Sequence, residues 1–538
     1  MKTYQLYLLS TLSGLLLAYA WFPKGLAPLL FFGFVPLLIL EHIIFTQPGK
    51  HNSFTPFGCS FVTFIIWNVI TTYWIKNASF GGAIMAIVSN TVLMTIVFTV
   101  SHKVKKRVGE KWGNLIFICF WMTFEFMHLC WDLSWPWLTL GNGFADNNNW
   151  IQWYEYTGVF GGSLWILVVN CLIASLFIPN SSSTINTKRI IISIISIIIL
   201  PIFISFLVKL KYESNNSLSD KKAYQKIVAV QPNIDPYNEK FTGSFQDQIY
   251  KMLRLAQEKT DSSTDYLLFP ETALQENLWD DELKQSESIK ILKQFLKQFP
   301  KLKIIIGAST AKLYKQGTTP SITARKYIDR TSYYDDFNTA LQVDNTERIQ
   351  IYHKSKLVPG VEKMPFPFLF KYFENFAIEL GGTAGSLGVQ EERTVFTSSD
   401  NTMKTAPVVC YESIYGEYVG EYITNGAQFI SIITNDGWWG DTPGYKQHLK
   451  YGTLRAIETR RWIARSANTG ISCFITPTGE IQQPTDWWVP AVISQGIQLR
   501  SEITFYTRFG DYIARIAMYI SLLLVIYSWL IRFRIIKS

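Results

Sequence analysis

Val408-Val409-Cys410-Tyr411-Glu412 ends an apolar, β-branched run on a thiol and a carboxylate. β-Branched residues suit a pleated, buried strand, and the end of such a strand is where α/β folds build their sites. Two other stretches repeat the design: Leu267-Leu268-Phe269-Pro270-Glu271-Thr272 and Tyr352-His353-Lys354. Taken singly, each has an ordinary explanation. A Glu before a helix complements the helix dipole, a Lys at a strand end is solvated, and a buried Cys packs as a small hydrophobe. Together they supply what a thiol nucleophile needs, a base for its proton and a cation for developing negative charge.

Around these points short β-rich runs alternate with longer helical stretches, the pattern of an α/β domain. Strands are expected at 227–231, 266–269, 302–307, 338–343, 349–352, 407–410, 429–434 and 472–475, and helices at 243–259, 286–299, 413–424 and 444–466. The polar linker Glu213 to Lys222 (ESNNSLSDKK) precedes this domain, which is placed at 222–505. No fixed-period repeat and no glycine-rich phosphate loop is found.

The flanks are of another kind. With 48% apolar and 15% aromatic residues in 538, the chain carries more apolar surface than one soluble core requires. Windows of roughly 20 residues, the length of a bilayer-crossing helix, pick out eight spans: 4–21, 26–44, 57–75, 82–100, 113–131, 156–178, 189–208 and 512–531. Residues 1–209 thus hold seven spans, and 511–538 hold the eighth with a short tail. Lys2, an apolar stretch and Ala18-Tyr19-Ala20 imitate a cleavable signal peptide, but Trp21-Phe22-Pro23 reads better as an interfacial anchor between two retained spans. Lys50, the cluster Lys103, Lys105, Lys106, Arg107 and Lys111, then Lys188, Arg189, Arg532, Arg534 and Lys537 all fall on one side, while Asp132 to Glu155 has no Lys or Arg. By the positive-inside rule both termini are cytoplasmic and the α/β domain is extracytoplasmic.

The net charge of +9 belongs largely to these span ends, and no basic stripe with interleaved aromatics suggests nucleic-acid binding. Cys59, Cys119, Cys130, Cys171, Cys410 and Cys473 show neither metal-ligand spacing nor a disulfide framework. Few polar groups interrupt the spans, Glu125 being the main one, which argues against an ion pathway and for a hydrogen bond between helices.

The order Glu271, Lys354, Cys410 resembles the catalytic set of the nitrilase superfamily. Tyr352-His353-Lys354-Ser355-Lys356-Leu357-Val358-Pro359-Gly360-Val361-Glu362, Cys410-Tyr411-Glu412, Thr434-Asn435-Asp436-Gly437-Trp438-Trp439-Gly440-Asp441 and Arg465-Ser466-Ala467-Asn468-Thr469-Gly470-Ile471-Ser472 are similar to segments of the apolipoprotein N-acyltransferases. The resemblance covers nearly the whole chain. It implies a bacterial inner-membrane protein of eight spans with a periplasmic αββα sandwich inserted between the seventh and eighth. It further implies Glu271 as general base, Lys354 as the oxyanion's cation, Cys410 as nucleophile and Glu362 as the residue that orients the site, with backbone N–H groups after Cys410 beside Lys354. The implied reaction moves an acyl chain from a membrane phospholipid to the Cys410 thiol, and from that thioester to the α-amino group of a diacylated lipoprotein's N-terminal cysteine. Neither metal nor cofactor is implied, and no nucleic-acid partner.

Several choices stay open at the level of sequence. Lys356 rivals Lys354, since in an extended segment both point to one side. Tyr411 and Glu412 adjoin the thiol, and Glu412 either meets substrate or braces the loop. A lowered thiol pKa is expected from a neighbouring ammonium and from a helix beginning near Ser413. The aromatic stretch 364–373, with Phe366 and Phe368, reads either as an arm dipping into lipid or as a packed surface loop, and Trp438 and Trp439 are placed at the same substrate entrance. Where the family often has Lys-Trp, this chain has Lys240-Phe241. A tethered hydrolase, with water resolving the thioester, and a transporter or receptor with a degenerate outer domain are the alternatives.

Overall fold

The structure, a computed structural model, describes the chain apart from residues 22–24, 48, 179–186, 218–223, 241–242, 316, 329–330, 367–385 and 534–538. It forms two compact units. One comprises Met1–Lys76, Ala83–Ser214 and Phe509–Ser538, the other Asn77–Gly82 and Asn215–Arg508.

The first unit is helical. Among the described residues six helices are long and apolar enough to cross a bilayer: Ala27–Thr46, Thr55–Asn77, Phe80–Val108, Tyr154–Ser175, Thr187–Ser214 and Tyr512–Arg532. Helices Thr3–Ala20 and Gly113–Met127 occupy the first and fifth expected spans. Polar side chains inside the unit tie helices together, because an unpaired polar group is costly where there is no water. Glu125 accepts from Trp121 Nε1 at 3.0 Å, Leu140 N at 2.9 Å and the Ser163 hydroxyl at 2.6 Å, which makes it the interhelical link its sequence position suggested. Asn170 accepts from Phe34 N at 2.8 Å and donates to Leu30 O at 2.7 Å. Helix Thr187–Ser214 leaves nearly all its side chains uncovered by the rest of the chain, as an apolar helix solvated by lipid would.

The second unit is an α/β sandwich of two sheets. One contains β1 (Tyr224–Gln231), β2 (Thr264–Leu268), β3 (Leu274–Trp279), β4 (Lys303–Leu313), β5 (Arg325–Lys326), β6 (Tyr333–Val343), β7 (Ile349–His353) and β14 (Ala491–Gln498). Its main path runs β14-β1-β2-β4-β6-β5, with β3 on β4 and β7 on β6. The other contains β8 (Phe396–Thr397), β9 (Lys404–Val409), β10 (Phe429–Thr434), β11 (Ile463–Ala467), β12 (Cys473–Ile475) and β13 (Ile481–Gln482), in the order β13-β12-β11-β10-β9-β8. In each sheet three central strands are parallel, β1-β2-β4 in one and β9-β10-β11 in the other.

Period-two alternation explains how the sheets are covered on both sides. Val228, Val230, Leu267, Phe269, Ile304 and Ile306 join one core with Ile249, Met252, Leu292 and Phe295 from helices Phe245–Gln257 and Glu287–Leu296. The intervening residues face the other sheet, as where Tyr266 of β2 meets Phe429 of β10 edge-on at 5.2 Å. Helices Gly416–Thr424 and Pro443–Thr459 cover the second sheet's outer face, giving an αββα order.

Sequence patterning missed six strands, the two-residue β5, β8 and β13 and the longer β3, β11 and β14, and β11 corrects an expected helix. The helix placed at 444–466 stops at Thr459, where Arg460 turns left-handed at φ 52°, and β11 follows. Helices that end this way generally place glycine there, so an arginine gave no stop signal. β3 and β14 escaped because Leu274–Trp279 carries Gln275, Glu276 and Asn277, and Ala491–Gln498 is mostly half-buried and contains Gly496.

Candidate active site

Glu271 reaches its place through a tight crossing. The chain leaves β2 at Leu268, and Thr272 takes φ 47° directly after Glu271. Gly307 of β4 lies against this turn, donating to Pro270 O at 3.0 Å and accepting from Ala273 N at 2.8 Å. A Cβ at Gly307 would stand 2.5 Å from Glu271 Cα and 2.4 Å from Thr272 N, so only glycine lets the two segments approach.

Lys354 follows the last residue of β7, where Lys354 N donates to Asn338 O at 2.8 Å. Its Nζ lies 3.0 Å from Glu271 Oε1 and 2.9 Å from Glu362 Oε1, with 1% of the side chain exposed. Lys356 goes elsewhere, its Nζ 4.8 Å from the centre of the Tyr415 ring. The same-side expectation for the two lysines fails because the strand stops at His353. Asn338 completes the bridge, donating to Glu271 Oε1 at 2.7 Å and Glu362 Oε1 at 2.9 Å. The remaining carboxylate oxygens are also held, Glu271 Oε2 by Asn435 N at 3.0 Å and Glu362 Oε2 by Val358 N at 2.9 Å.

Cys410 stands at the bend after β9. The expected strand ends one residue earlier, and the expected helix at 413–424 is replaced by a 3-10 turn, Cys410–Ile414, before helix Gly416–Thr424. Cys410 itself has φ 49°, a left-handed conformation uncommon for a side chain with a Cβ and typical of residues presented for function. Burial and then the charge of Glu271 push its thiol well up, against the opposing pull of Lys354. The expected lowering of the thiol pKa is therefore corrected. Dehydration outweighs the ammonium, and no long helix begins at the sulfur to help.

The carboxylates behave in the opposite way. Burial pushes Glu271 up, but Lys354, the Asn338 amide and the charge of Lys240 outweigh it and leave it below the usual range. Burial likewise works against the charge of Lys354, yet Glu271 and Glu362 raise it well above an ordinary lysine. The resting set is thus a carboxylate, an ammonium and a thiol. Lys240 adds a second cation to the surroundings. It is buried, donates to the Thr272 hydroxyl, and is drawn down to about 8 by burial, against the pull of Glu271 and Cys410.

Glu412 is held from two segments. It is fully buried, with Oε1 accepting from Tyr352 Oη at 2.6 Å, Tyr418 Oη at 2.5 Å and Ser355 N at 2.8 Å, and Oε2 from Val409 N at 2.9 Å. One carboxylate thus ties the segment that carries Lys354 to the bend that carries Cys410. Replacing it with Gln turns a pure acceptor into a donor against these N–H and O–H groups. We expect Glu412→Gln to cost about 2–3 kcal/mol, seen as a lowered thermal midpoint of the detergent-solubilised protein. Tyr411 is buried, edge-on against Tyr415 at 5.5 Å.

Of the expected substrate-contacting aromatics, Trp438 and Trp439 are half-buried in the turn Asp436–Trp439. Trp438 meets Tyr237, whose hydroxyl donates to Trp438 O at 2.8 Å, and Trp439 packs edge-on against His448 at 5.4 Å. Phe366 has φ 50° and is half-buried, while Phe368 and Phe241 lie outside the described residues. Asn338, Asn435 and Lys240 were not singled out from sequence as site residues. Lys240 and Asn435 lay only within segments compared with the family, and Asn338 shows no signal beyond being a polar residue at the start of an apolar run, which many solvated positions share.

Residues 226–505, just over half of the chain, match the model of the carbon-nitrogen hydrolase family, and the chain belongs to that family. Residues 13–172 match the apolipoprotein N-acyltransferase N-terminal domain. Relatives carrying the name apolipoprotein N-acyltransferase include one from Chlorobaculum tepidum, 29% identical over 95% of this chain and 94% of its own, and one from Geobacter metallireducens, 26% identical over 94% and 92%. A nitrilase-superfamily amidase from Nesterenkonia superposes with a TM-score of 0.37 and 14% identity, covering 55% of this chain and 97% of its own.

Proposed function

We propose that this chain is a membrane-embedded apolipoprotein N-acyltransferase in which Glu271, Lys354 and Cys410 transfer a fatty acyl chain from a phospholipid to the N-terminal amine of a diacylated lipoprotein. The observation that carries the reading is the buried ion pair of Lys354 with Glu271, whose two charges both act on the Cys410 thiol. In the first half-reaction the Cys410 proton passes to Glu271 as sulfur attacks the ester carbonyl. The tetrahedral oxyanion faces Lys354 and the N–H groups following Cys410. Collapse breaks the ester C–O bond, and Glu271 returns the proton to the departing lysophospholipid alcohol. In the second half-reaction the lipoprotein amine attacks the thioester, its proton goes to Glu271, and the Cys410 sulfur leaves and regains it. Glu362 and Asn338 hold Lys354 and Glu271 in line throughout. These steps call on no metal or cofactor.

The domain plan we propose is seven spans in 1–209, the catalytic sandwich in 222–505 and the eighth span with its tail in 511–538, in the bacterial inner membrane with the sandwich on the periplasmic side. Loop charge supports that orientation. Phe366, Phe368, Trp438 and Trp439 are proposed to meet the acyl chain, and Tyr411 and Glu412 to support the bend. Incubation of the protein with phospholipid vesicles and a synthetic diacylated lipopeptide tests the reading. The expected products are triacylated peptide and lysophospholipid. Free fatty acid with unchanged peptide would identify a hydrolase instead.

A further inference from the structure

Behind Cys410, on the side away from Lys354 and Glu271 in the hydrogen-bond network, lies a buried group the reaction above does not use. His448, from helix Pro443–Thr459, is wholly enclosed. Its Nδ1 is 2.9 Å from Asp436 Oδ1, and its Nε2 is 3.1 Å from the Cys410 carbonyl oxygen and 3.0 Å from Ser413 Oγ. Ser413 Oγ in turn lies 2.7 Å from the same carbonyl. Asp436 Oδ1 also accepts from the Thr434 hydroxyl at 2.8 Å, and Oδ2 from Arg465 Nη2. The charged and titratable groups that meet the ring include Asp436 from the turn after β10, Arg465 from β11 and Cys410 from the bend.

Donor and acceptor counting fixes the ring. Burial pushes Asp436 up, but Arg465 and His448 overcome it and hold it down at about 2, so it is a carboxylate that only accepts. Nδ1 must then carry hydrogen. The rival tautomer, with Nδ1 accepting from Arg465 Nη2 at 3.4 Å, sets a lone pair against a carboxylate oxygen at 2.9 Å. At the other nitrogen a carbonyl oxygen accepts only, and the Ser413 hydroxyl has one hydrogen. If Nε2 lacked hydrogen, its lone pair would face the carbonyl. Ser413 could then serve the ring or the carbonyl but not both. Asp436 thus holds one edge of the ring, and its Nε2 edge together with Ser413 encloses the Cys410 carbonyl. Cys410, Asp436 and His448 also lie within 4.8 Å of one another, close enough to suggest a metal site, but the Arg465 guanidinium already on Asp436 would set cation against cation.

We propose that His448 is a positioning residue, held in place by Asp436, that locks the Cys410 carbonyl and so fixes the left-handed bend presenting the thiol. It rests on Cys410 being the nucleophile. In the full-length protein, His448→Gln should slow acyl-adduct formation on Cys410 about 10²-fold, the scale of an ångström-sized misplacement, with phospholipid KM within about threefold. Adduct formation at the wild-type rate, or a loss carried wholly by KM, would overturn the proposal. Absence of any adduct in the wild-type protein would instead refute the nucleophile assignment.

Discussion

Cys410→Ala is expected to eliminate the fatty-acyl adduct that mass spectrometry should find on the wild-type protein incubated with phospholipid, and to lower lipopeptide acylation by at least about 10⁴-fold, the scale at which loss of a covalent nucleophile is felt. The physical reason is that nothing else near the bend can take its place. Among the described residues the only other cysteine in the sandwich, Cys473, sits fully buried in β12 with its thiol pushed up to about 12 by burial. Ser413 is committed to the Cys410 carbonyl. Folding should survive, because alanine keeps the Cβ, and the left-handed bend is held through the Cys410 backbone rather than its sulfur. An adduct that persisted in Cys410→Ala would refute the mechanism outright.

Lys354→Met is expected to act on both rate and stability. Loss of one donor facing the oxyanion costs about 10²–10³-fold in acylation. Removing the ammonium also leaves Glu271 and Glu362 buried without their counter-ion, worth about 3–5 kcal/mol of stability for a broken buried pair. The sign with pH follows from the direction of Glu271. A carboxylate held below its unfolded value contributes stability that is full above that value and lost as pH falls through the folded one. Without Lys354, burial lifts Glu271 again, so the acid limb of the rate profile should move to higher pH and stability should fall most near neutrality. Adduct formation across pH and thermal unfolding at pH 5 and 8 measure these two effects. An unchanged acid limb would mean that Glu271 is not the base.

How much of this was legible beforehand depended on how local the signal was. β10 was placed at its observed bounds and β9 within one residue of its C-terminal end, though β9 begins three residues earlier than expected, because burial on two faces writes itself into consecutive apolar positions. The spans are legible for a related reason, since lipid demands apolar residues over a whole helix. Arg460 shows the converse. Its left-handed turn ends a helix without glycine, so a helix was expected to run on into β11. Lys354 and Lys356 could not be separated by periodicity, since the choice turns on where β7 ends and which carboxylates wait there.

By itself the sequence determined that Glu271, Lys354 and Cys410 stand at the ends of apolar runs in an α/β segment between membrane-spanning stretches. Those facts depend on neighbours along the chain. The tertiary structure alone decided that Lys354 rather than Lys356 joins Glu271, that the Glu412 carboxylate bonds both the Lys354 segment and the Cys410 bend, and that Asn338, Asn435 and His448 lie around the three. It also decided that the Cys410 residue rests as a thiol. Each of these depends on burial and on charges brought from residues far apart in the chain, and the balance between dehydration and pairing exists only once the two sheets have closed over the site.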